Sequence, residues 1–230
     1  MALAIIESSQ IKTIWTARQC FYVAAASFVL GTIIFVVAYI GMLDNTGIGS
    51  FNQPILYWMI AHRDSQITNI MKLITDIASP TVFAIIIGIG AGFWAFVKRE
   101  IWRPLLLIGA TSIAAGASVI LKNIIMNSRP PIADMIAPFE TNYSFPSGHT
   151  IGVVVCLLVL CYLLCSRHFN TIRIFGWTAI TILGVGLIAI SRLYLGYHWL
   201  TDIVASIGLG FIILAVSIGI DIFVVRRLNN

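Results

Sequence analysis

The sequence predicts an all-α integral membrane protein with six transmembrane helices and short interfacial helices between the first and second spans. Three observations support this fold class. The chain of 230 residues is 59% hydrophobic and only 10% charged, whereas an average soluble domain has about 25% charged residues. Six stretches are apolar over roughly the 20 residues that a spanning helix needs. A further stretch, Phe51–Ile77, mixes apolar and polar residues at helical spacing and is too polar to span.

The six predicted spans follow one another closely, and we expect residues 1–230 to form a single domain. Two spans begin with proline, which suits the first turn of a helix. The first span is longer than the apolar core of a signal peptide and lacks a small-residue cleavage site, so we expect it to remain as a helix. The predicted spans are Cys20–Leu43, Pro80–Val97, Pro104–Leu121, Gly148–Cys165, Ile174–Ile190 and Asp202–Val225.

The basic residues between the spans predict an orientation in the plasma or inner membrane. Nine of the 14 lysines and arginines fall on the side that carries both termini, and an excess of positive charge marks the cytoplasmic side. We therefore expect both termini in the cytoplasm, and segments 44–79, 122–147 and 191–201 on the other side. The nine residues are Lys12, Arg18, Lys98, Arg99, Arg103, Arg167, Arg173, Arg226 and Arg227.

Other features of the composition exclude several classes of protein. The net charge of +5 is spread in short clusters, without the basic tail or interleaved aromatic residues of a nucleic-acid-binding protein. The four cysteines lie in or beside apolar stretches and form no C-x-x-C pair, so we expect neither a disulfide nor a zinc site. The G-x-x-x-G pattern at Gly88–Gly92 predicts close helix packing.

Three polar clusters stand at the outer ends of the third, fourth and sixth predicted spans. They read KNIIMNSRP (Lys122–Pro130), PSGH (Pro146–His149) and SRLYLGYHWLTD (Ser191–Asp202). Ionisable residues near membrane depth are costly and usually face a cavity or a partner. The three clusters are therefore the candidate functional site.

Three cations and the start of the fourth predicted helix form a candidate anion site. Lys122, Arg129 and Arg192 come from three separate segments, and each alone could be a snorkelling anchor. If they converge, they would hold phosphate, whose oxygens arginine binds with two hydrogen bonds at once. Ser147 and Gly148 stand where the fourth helix begins, and the unpaired N–H groups there favour an anion. Ser147 also suits the N-cap of that helix.

Two histidines suggest nucleophilic and acid–base chemistry. His198 has Asp202 four residues on, a spacing that puts both side chains on one face of a helix. A carboxylate that accepts from one ring nitrogen leaves the other free as a nucleophile. His149 has no such partner in its own motif and would donate a proton to a leaving oxygen. A nucleophile, its orienting acid, a proton donor and an anion clamp are the parts that phosphoryl transfer needs.

The acidic residues argue against a metal-dependent reaction. Asp202 is the only acid within the three clusters. Asp134 and Glu140 lie in the same outer loop, but they form neither a D-x-D pair nor an H-E-x-x-H motif. A two-metal hydrolase is therefore disfavoured, and we expect no metal and no other cofactor.

The three clusters together resemble the signature of the type 2 phosphatidic acid phosphatase superfamily, K-x6-RP, PSGH and SR-x5-H-x3-D. All fixed positions match in order within residues 122–202, and the six-span layout extends the likeness over nearly the whole chain. The resemblance implies that His198 attacks phosphorus to form a phosphohistidine, that Asp202 orients it, and that His149 protonates the leaving oxygen and then activates water. The residues implied to hold the phosphate are Lys122, Arg129, Ser147, Gly148 and Arg192.

The resemblance also implies a lipid phosphatase, since membrane members of the superfamily act on lipid phosphates or pyrophosphates and usually need no metal. Membrane lipids and a lipid phosphate substrate are thus the expected partners. Undecaprenyl pyrophosphate is the expected substrate by analogy alone; phosphatidylglycerophosphate, phosphatidic acid and a lipid A phosphate remain open. Aromatic residues that flank the motifs suit the depth of the membrane interface, namely Tyr143, Phe145, Tyr197 and Trp199.

Three alternatives use the same residues differently. A lipid phosphotransferase would pass the phosphoryl group to another lipid, and the motifs do not exclude it. An anion transporter would also cluster cations, but the sequence shows neither internal repeats nor broken helices, and a nucleophile with its orienting acid would be superfluous. The membrane spans disfavour a haloperoxidase. The oligomeric state is not predicted by any sequence feature.

Overall fold

The computed structural model describes residues 15–166 and 170–229 of the chain. Within these ranges the protein consists of helices and their connections, with no strand. Six of the helices, α1 and α4 to α8, are long and apolar enough to cross a membrane. The helices are α1 (Ala17–Asp44), α2 (Asn52–Ala61), α3 (Ser65–Ile77), α4 (Pro80–Lys98), α5 (Trp102–Ile125), α6 (Gly148–Cys165), α7 (Thr171–Tyr194) and α8 (Leu200–Asn229).

The predicted spans are confirmed, and most helices run past their predicted ends. Helix α5 continues from Leu121 to Ile125, so Lys122 belongs to its last turn. Helix α7 continues past Ile190 to Tyr194, so Arg192 also belongs to a last turn. Hydropathy ends a span near the first polar residue, but the backbone groups of a membrane helix still need their internal hydrogen bonds. Both cations are therefore held on rigid helix ends rather than on loops.

Helices α6 and α8 form the centre of the bundle. In each of them 56% of the most apolar stretch is buried, against 11–17% in α1, α4 and α7. The main apolar core joins α6 to α5 and α8 through residues such as Ile151, Val155 and Ile218. The peripheral helices expose large apolar side chains, for example Phe96 and Phe175, as a lipid-facing surface requires.

Close helix packing occurs at a different pair of glycines from the predicted one. A Cβ atom at Gly31 would lie 2.5 Å from the carbonyl oxygen of Gly208, and one at Gly208 would lie 2.6 Å from the backbone nitrogen of Phe35. These glycines let α1 and α8 approach backbone to backbone. The packing prediction for the G-x-x-x-G pattern is wrong within the described residues, because Cβ atoms at Gly88 and Gly92 would meet no neighbouring helix within 4 Å.

The segment between the first two spans forms two short helices, α2 and α3, as predicted. The Asp64 carboxylate caps α3 by accepting hydrogen bonds from its first turn. Arg63 joins this segment to the bundle, because it donates to the carbonyl oxygens of Tyr194, at the end of α7, and of Asp134. Helix α3 thus lies against the end of α7 that carries Arg192.

The basic residues used to predict orientation are only partly described. Lys12 and Arg167 lie outside the described residues, and so does the side chain of Arg226. Arg103 is counted among the charges between two predicted spans, yet it is the second residue of α5 and is fully buried. Its Nε lies 3.4 Å from Oε1 of Glu100. Arg103 is therefore part of the protein interior and is a weaker guide to orientation than a solvated loop charge.

Candidate active site

The three sequence clusters converge at one end of the bundle. Helices α5 and α7 end there, α6 and α8 begin there, and loop 126–147 and turn 195–199 connect them; we call this the site end. Hydrogen bonds join the clusters to one another and to the residues just before α6. Arg129 Nη1 lies 3.3 Å from His198 Nε2, Lys122 Nζ donates to the Ser144 carbonyl over 3.2 Å, and the Ser147 N–H donates to the Asp202 carbonyl over 3.4 Å.

His198 and Asp202 form a hydrogen-bonded pair. Nδ1 of His198 lies 3.0 Å from Oδ2 of Asp202, and both side chains are buried. The prediction that the two residues share a helix face is wrong in detail, because α8 begins at Leu200 and His198 precedes it. The same Asp202 oxygen also accepts the N–H of Trp199 over 2.9 Å. The acid thus holds both the ring and the turn that carries it, and leaves Nε2 of His198 on the cavity side.

Turn 195–199, which carries His198, depends on a glycine. Gly196 has φ +77°, and a Cβ atom there would lie 2.4 Å from the Asp134 carbonyl oxygen. Only glycine adopts this backbone conformation without strain. Burial, followed by the charges of Arg192 and Arg129, lowers the pKa of His198 well below its ordinary value. A lowered pKa favours the neutral imidazole, which is the form a nucleophile requires.

The second oxygen of Asp202 contacts two residues that the sequence did not single out. Oγ of Ser144 lies 3.4 Å from Asp202 Oδ1, and Nδ2 of Asn127 lies 3.5 Å from the same atom. Asn127 also donates to Ser144 over 2.9 Å. Both residues lie within or beside the recognised motifs at positions that the signature leaves open. No local pattern indicated that they would meet the acid.

The two arginines are held by uncharged partners as well as by charge. Arg129 Nε donates to the Asn142 carbonyl over 2.6 Å. Arg192 is buried, donates to Thr75 Oγ1 over 2.8 Å, and stacks on the Tyr197 ring with 4.5 Å between the guanidinium carbon and the ring centroid. Thr75 belongs to α3, so the segment between the first two spans contributes directly to the site.

Glu140 is an acid at the centre of the site that the sequence left without a role. Its Oε2 lies 2.5 Å from Arg129 Nη2, and its Oε1 pairs with Arg192 Nη2. Burial alone raises the pKa of Glu140, but Arg192 and Arg129 outweigh it and hold the pKa below its ordinary value. The sequence showed Glu140 only as an acid without a metal-binding motif. Nothing in the local pattern indicated that loop 126–147 folds back onto the arginines.

The start of α6 matches its predicted geometry. Ser147 is the N-cap, and its Oγ accepts the N–H of Thr150 over 3.4 Å. Its own N–H donates to Ser206 Oγ over 2.9 Å, so it can reach a ligand only through its hydroxyl proton. The N–H groups of Gly148 and His149 make no hydrogen bond among the described residues. They are the unpaired donors that a helix start offers to an anion.

A cavity of about 310 Å³ opens in front of these groups. Five of the eight predicted site residues line it, namely Lys122, Arg129, Gly148, His149 and His198, whereas Ser147, Arg192 and Asp202 do not. Its remaining wall is largely apolar and comes from α4 and α5, with residues such as Phe83 and Val119. One cavity therefore joins a cationic end to an apolar side.

The flanking aromatic residues differ in burial. Phe145 is fully buried and packs against Phe35 and Tyr39 of α1, with centroids 5.9 and 6.1 Å apart. Tyr197 is also buried, beneath Arg192. These two fill space between helices rather than facing lipid, and their predicted depth at the membrane interface stays a prediction. Tyr143 is 40% exposed.

The described residues contain no group of three or more His, Cys, Asp or Glu side chains that could hold a metal ion. The titratable side chains of the site include three cations, Glu140 and the His198–Asp202 pair, of which Arg192 and Asp202 do not line the cavity. The site thus offers positive charge for an anion, a neutral imidazole beside it and a second histidine in the same cavity. Such an arrangement fits phosphate chemistry.

Comparison with known proteins shows the family of the chain. A family model described as the PAP2 superfamily matches residues 100–222, which include all three clusters and more than half of the chain. The chain belongs to the PAP2 superfamily. Phosphatidylglycerophosphatase B of Bacillus subtilis (strain 168) is 27% identical over 195 residues, covering 82% of this chain and 92% of that protein. Undecaprenyl-diphosphatase BcrC of the same organism is 27% identical over 158 residues, covering 67% and 75%.

A solved structure shows the same fold. The crystal structure of the first transmembrane PAP2-type phosphatidylglycerolphosphate phosphatase from Bacillus subtilis matches 84% of this chain and 96% of its own, with a TM-score of 0.73 and 23% identity. The six helices that are long and apolar enough to cross a membrane, in this shared fold, make this PAP2 chain a multi-pass membrane protein. The family model and the phosphatases among its relatives identify it as a lipid phosphatase.

Proposed function

We propose that this PAP2 phosphatase removes a terminal phosphate from a lipid phosphate or pyrophosphate, without a metal, through a phosphohistidine on His198. The observation that carries the proposal is the 3.0 Å pairing of His198 Nδ1 with buried Asp202, which leaves Nε2 on the side of a cationic cavity. A carboxylate at Nδ1 fixes the tautomer and stabilises the positive ring that forms when Nε2 attacks.

The reaction has two displacement steps. In the first, the Nε2 lone pair of His198 forms a bond to phosphorus, the bond from phosphorus to the lipid oxygen breaks, and His149 gives its proton to that oxygen. In the second, His149 takes a proton from water, whose oxygen attacks phosphorus and releases inorganic phosphate and free His198. His149 lines the same cavity as His198, as a shared acid and base must.

The phosphate oxygens would be held by the three cations and by the start of α6. Lys122 and Arg129 line the cavity. Arg192, the Ser147 hydroxyl and the N–H groups beginning at Gly148 complete the set. Preorganised donors of this kind each contribute about 3–4 kcal/mol to lowering a barrier when charge develops on oxygen. Several of them acting together would supply the charge neutralisation that other phosphatases obtain from metal ions.

The apolar side of the cavity supports a lipid substrate. We propose undecaprenyl pyrophosphate, the expectation from the sequence, in line with the likeness to the undecaprenyl-diphosphatase of Bacillus subtilis. Phosphatidylglycerophosphate is the second candidate, because the match to phosphatidylglycerophosphatase B covers 82% of the chain rather than 67%. Transfer of the phosphoryl group to a lipid instead of water would use the same first step.

The decisive assay measures phosphate release by the purified protein from undecaprenyl pyrophosphate, phosphatidylglycerophosphate, phosphatidic acid and a lipid A phosphate. Activity should survive EDTA, fall with vanadate and vanish in His198→Ala, while Asp221→Asn, which alters a buried acid far from the site, should remain active. Metal dependence or full activity in His198→Ala would contradict the mechanism. A new phosphorylated lipid in place of free phosphate would identify a phosphotransferase.

We further propose that the site end faces away from the cytoplasm, in the plasma or inner membrane. The opposite end carries Lys98, Arg99, Arg173 and Arg227, which favours a cytoplasmic position. Ala133 in loop 126–147 is exposed, so Ala133→Cys should react with an impermeant thiol reagent in intact cells, while the unmodified protein provides the background. Labelling only after permeabilisation would reverse the orientation.

A further inference from the structure

Glu140 occupies the place between two arginines that a phosphate would be expected to take. Its two carboxylate oxygens bind different guanidinium groups, Oε2 with Arg129 and Oε1 with Arg192. Carboxylate and phosphate oxygens use the same N–H donors of arginine. A phosphate that binds these donors must therefore displace Glu140.

Each arginine has partners besides Glu140 that hold its position. Arg129 is also bound by Asn142, and Arg192 by Thr75 and the Tyr197 ring. Nε of Arg192 has no hydrogen-bond partner among the described residues, so this guanidinium still has an unused hydrogen-bond donor. If the carboxylate leaves, the two cations stay in place.

Glu140 is the more movable member of the cluster. It belongs to loop 126–147 rather than to a helix, its side chain is 25% exposed, and it lines the cavity. Its hydrogen bonds and ion pairs among the described residues are those with the two arginines. The Arg192 side chain, by contrast, is 1% exposed and sits on the last turn of α7.

We propose that Glu140 is a resident anion that sets the charge a ligand needs to enter the site, admitting phosphates with two negative charges and excluding phosphodiesters with one. The inference rests on the proposed function. Exchange of one monoanion for another brings no gain in Coulomb energy, whereas a dianion gains from both arginines and from Lys122. Because Glu140 is part of the chain, its carboxylate competes with any ligand for the two arginines as if present at an effective concentration of about millimolar.

The selection matters because the cavity has an apolar side, through which ordinary membrane lipids can approach. Most glycerophospholipids are phosphodiesters with one charge on phosphate, and they greatly outnumber a lipid with a terminal phosphate. Three uncompensated cations beside such a surface would bind them without discrimination. Glu140 gives the site a competitor that only the terminal phosphate of a monoester or pyrophosphate overcomes.

The test compares the full-length protein with Glu140→Gln, which keeps the size of the side chain and removes its charge. The probes are a water-soluble short-chain phosphatidylglycerol, as a monoanionic phosphodiester, and inorganic phosphate, each measured by direct binding and by inhibition of turnover. We expect Glu140→Gln to bind the phosphodiester at least about tenfold more tightly, with a smaller change for the dianionic substrate. Discrimination between substrate and bulk phospholipid should fall accordingly.

Two further variants separate charge selection from a structural role. Glu140→Asp keeps the charge on a shorter side chain, and its affinity for the phosphodiester should lie between those of the wild type and Glu140→Gln. Asp134→Asn removes the same charge from the same loop, but Asp134 does not line the cavity, so this variant should behave as the wild type. Glu140→Ala repeats the test if the glutamine variant is unstable.

Unchanged or weaker binding of both probes in Glu140→Gln and Glu140→Ala would overturn the proposal, since it would mean that Glu140 only supports the arginines. That result would leave the proposed function standing if the wild type still hydrolyses lipid phosphates. Failure of every variant, including the wild type, to bind inorganic phosphate or release it from lipid would instead remove the proposed function, and this inference with it.

Discussion

The two ends of the bundle both bury charged residues, but they differ in what those residues face. At the end opposite the site, Asp221 is buried and accepts hydrogen bonds from Trp102 Nε1 over 2.8 Å and from Tyr162 over 2.7 Å. Arg103 donates to the Leu163 carbonyl over 2.6 Å and pairs with Glu100. This polar cluster borders a cavity of only about 50 Å³.

At the site end the charged residues border about 310 Å³ of space. His149 and the first N–H groups of α6 make no hydrogen bond to other described residues there. The difference teaches that a buried charge does not by itself mark a catalytic site in a membrane protein. Binding capacity directed into a cavity marks it, whereas charged groups that face other buried groups of neighbouring helices fasten those helices together.

The largest expected contrast is between the two buried aspartates, Asp202 and Asp221. Asp202→Asn should lower kcat by about 10³–10⁴-fold, because an amide cannot hold the His198 tautomer as a carboxylate does. Asp221→Asn should leave kcat within about twofold of the wild type, since the residue is remote from the reacting atoms. The measurement is kcat for lipid phosphate release by the two purified variants.

The stability of Asp221→Asn sharpens the contrast. Asp221→Asn weakens the acceptor for Trp102 and Tyr162, so we expect a loss of about 1–3 kcal/mol. Thermal unfolding in detergent should show a lower Tm, by about 2–4 °C per kcal/mol for a chain of this size. A large kinetic defect in Asp221→Asn with a normal Tm would break the distinction between the two ends.

The next effect concerns the proposed proton donor. His149→Ala should lower kcat/KM, which reports the first displacement, by about 10²–10⁴-fold for an alkyl phosphate, whose leaving oxygen needs a proton. The deficit should be much smaller for an aryl phosphate such as p-nitrophenyl phosphate, because its leaving oxygen is stable as an anion. Tyr162→Phe, in the cluster at the opposite end, provides the control. Equal losses on both substrates would argue against an acid role.

A smaller effect is expected from the turn that carries His198. Gly196→Ala places a Cβ atom against the Asp134 carbonyl at a positive φ, so the turn must shift. Misplacing a reacting group by about 1 Å can cost up to about 10²-fold, and we expect a loss in kcat of roughly tenfold. Gly219→Ala in α8 meets no neighbour and should be silent. Wild-type kcat in Gly196→Ala would show that the turn does not position His198.

The smallest effect is a pH dependence of the Glu140 contrast. Arg192 and Arg129 hold the pKa of Glu140 below its ordinary value, so the carboxylate stays charged as the pH falls past about 4.3, the ordinary pKa of glutamate. The difference between wild type and Glu140→Gln in phosphodiester inhibition should therefore persist from about pH 8 down to about pH 5. Loss of the difference near pH 6 would indicate that a histidine controls it.

Much of this molecule could be predicted from the sequence because its strongest signals are local. Hydropathy located six helices, and the motif spacing located the eight residues that the fold gathers at the site end. What it missed depends on tertiary contacts. Glu140 returns to the arginines through a loop and Thr75 reaches Arg192 from α3, so neither lies at a fixed offset from its partner.

The errors have a similar origin. Arg103 is counted as a charge in a loop because hydropathy carries no information about the neighbouring helices that bury it. The catalytic roles of His198, His149 and Asp202 stay predictions, since geometry places groups within reach but does not show a bond being made.

The most direct test of the central claim is to trap the phosphoenzyme. The protein is mixed rapidly with substrate labelled in its terminal phosphate, quenched in alkali, digested and mapped. We predict a label that is stable in alkali and labile in acid, located on the peptide that contains His198, absent from His198→Ala and present in Asp221→Asn. Turnover without such a label, or a label on another residue, would contradict the account.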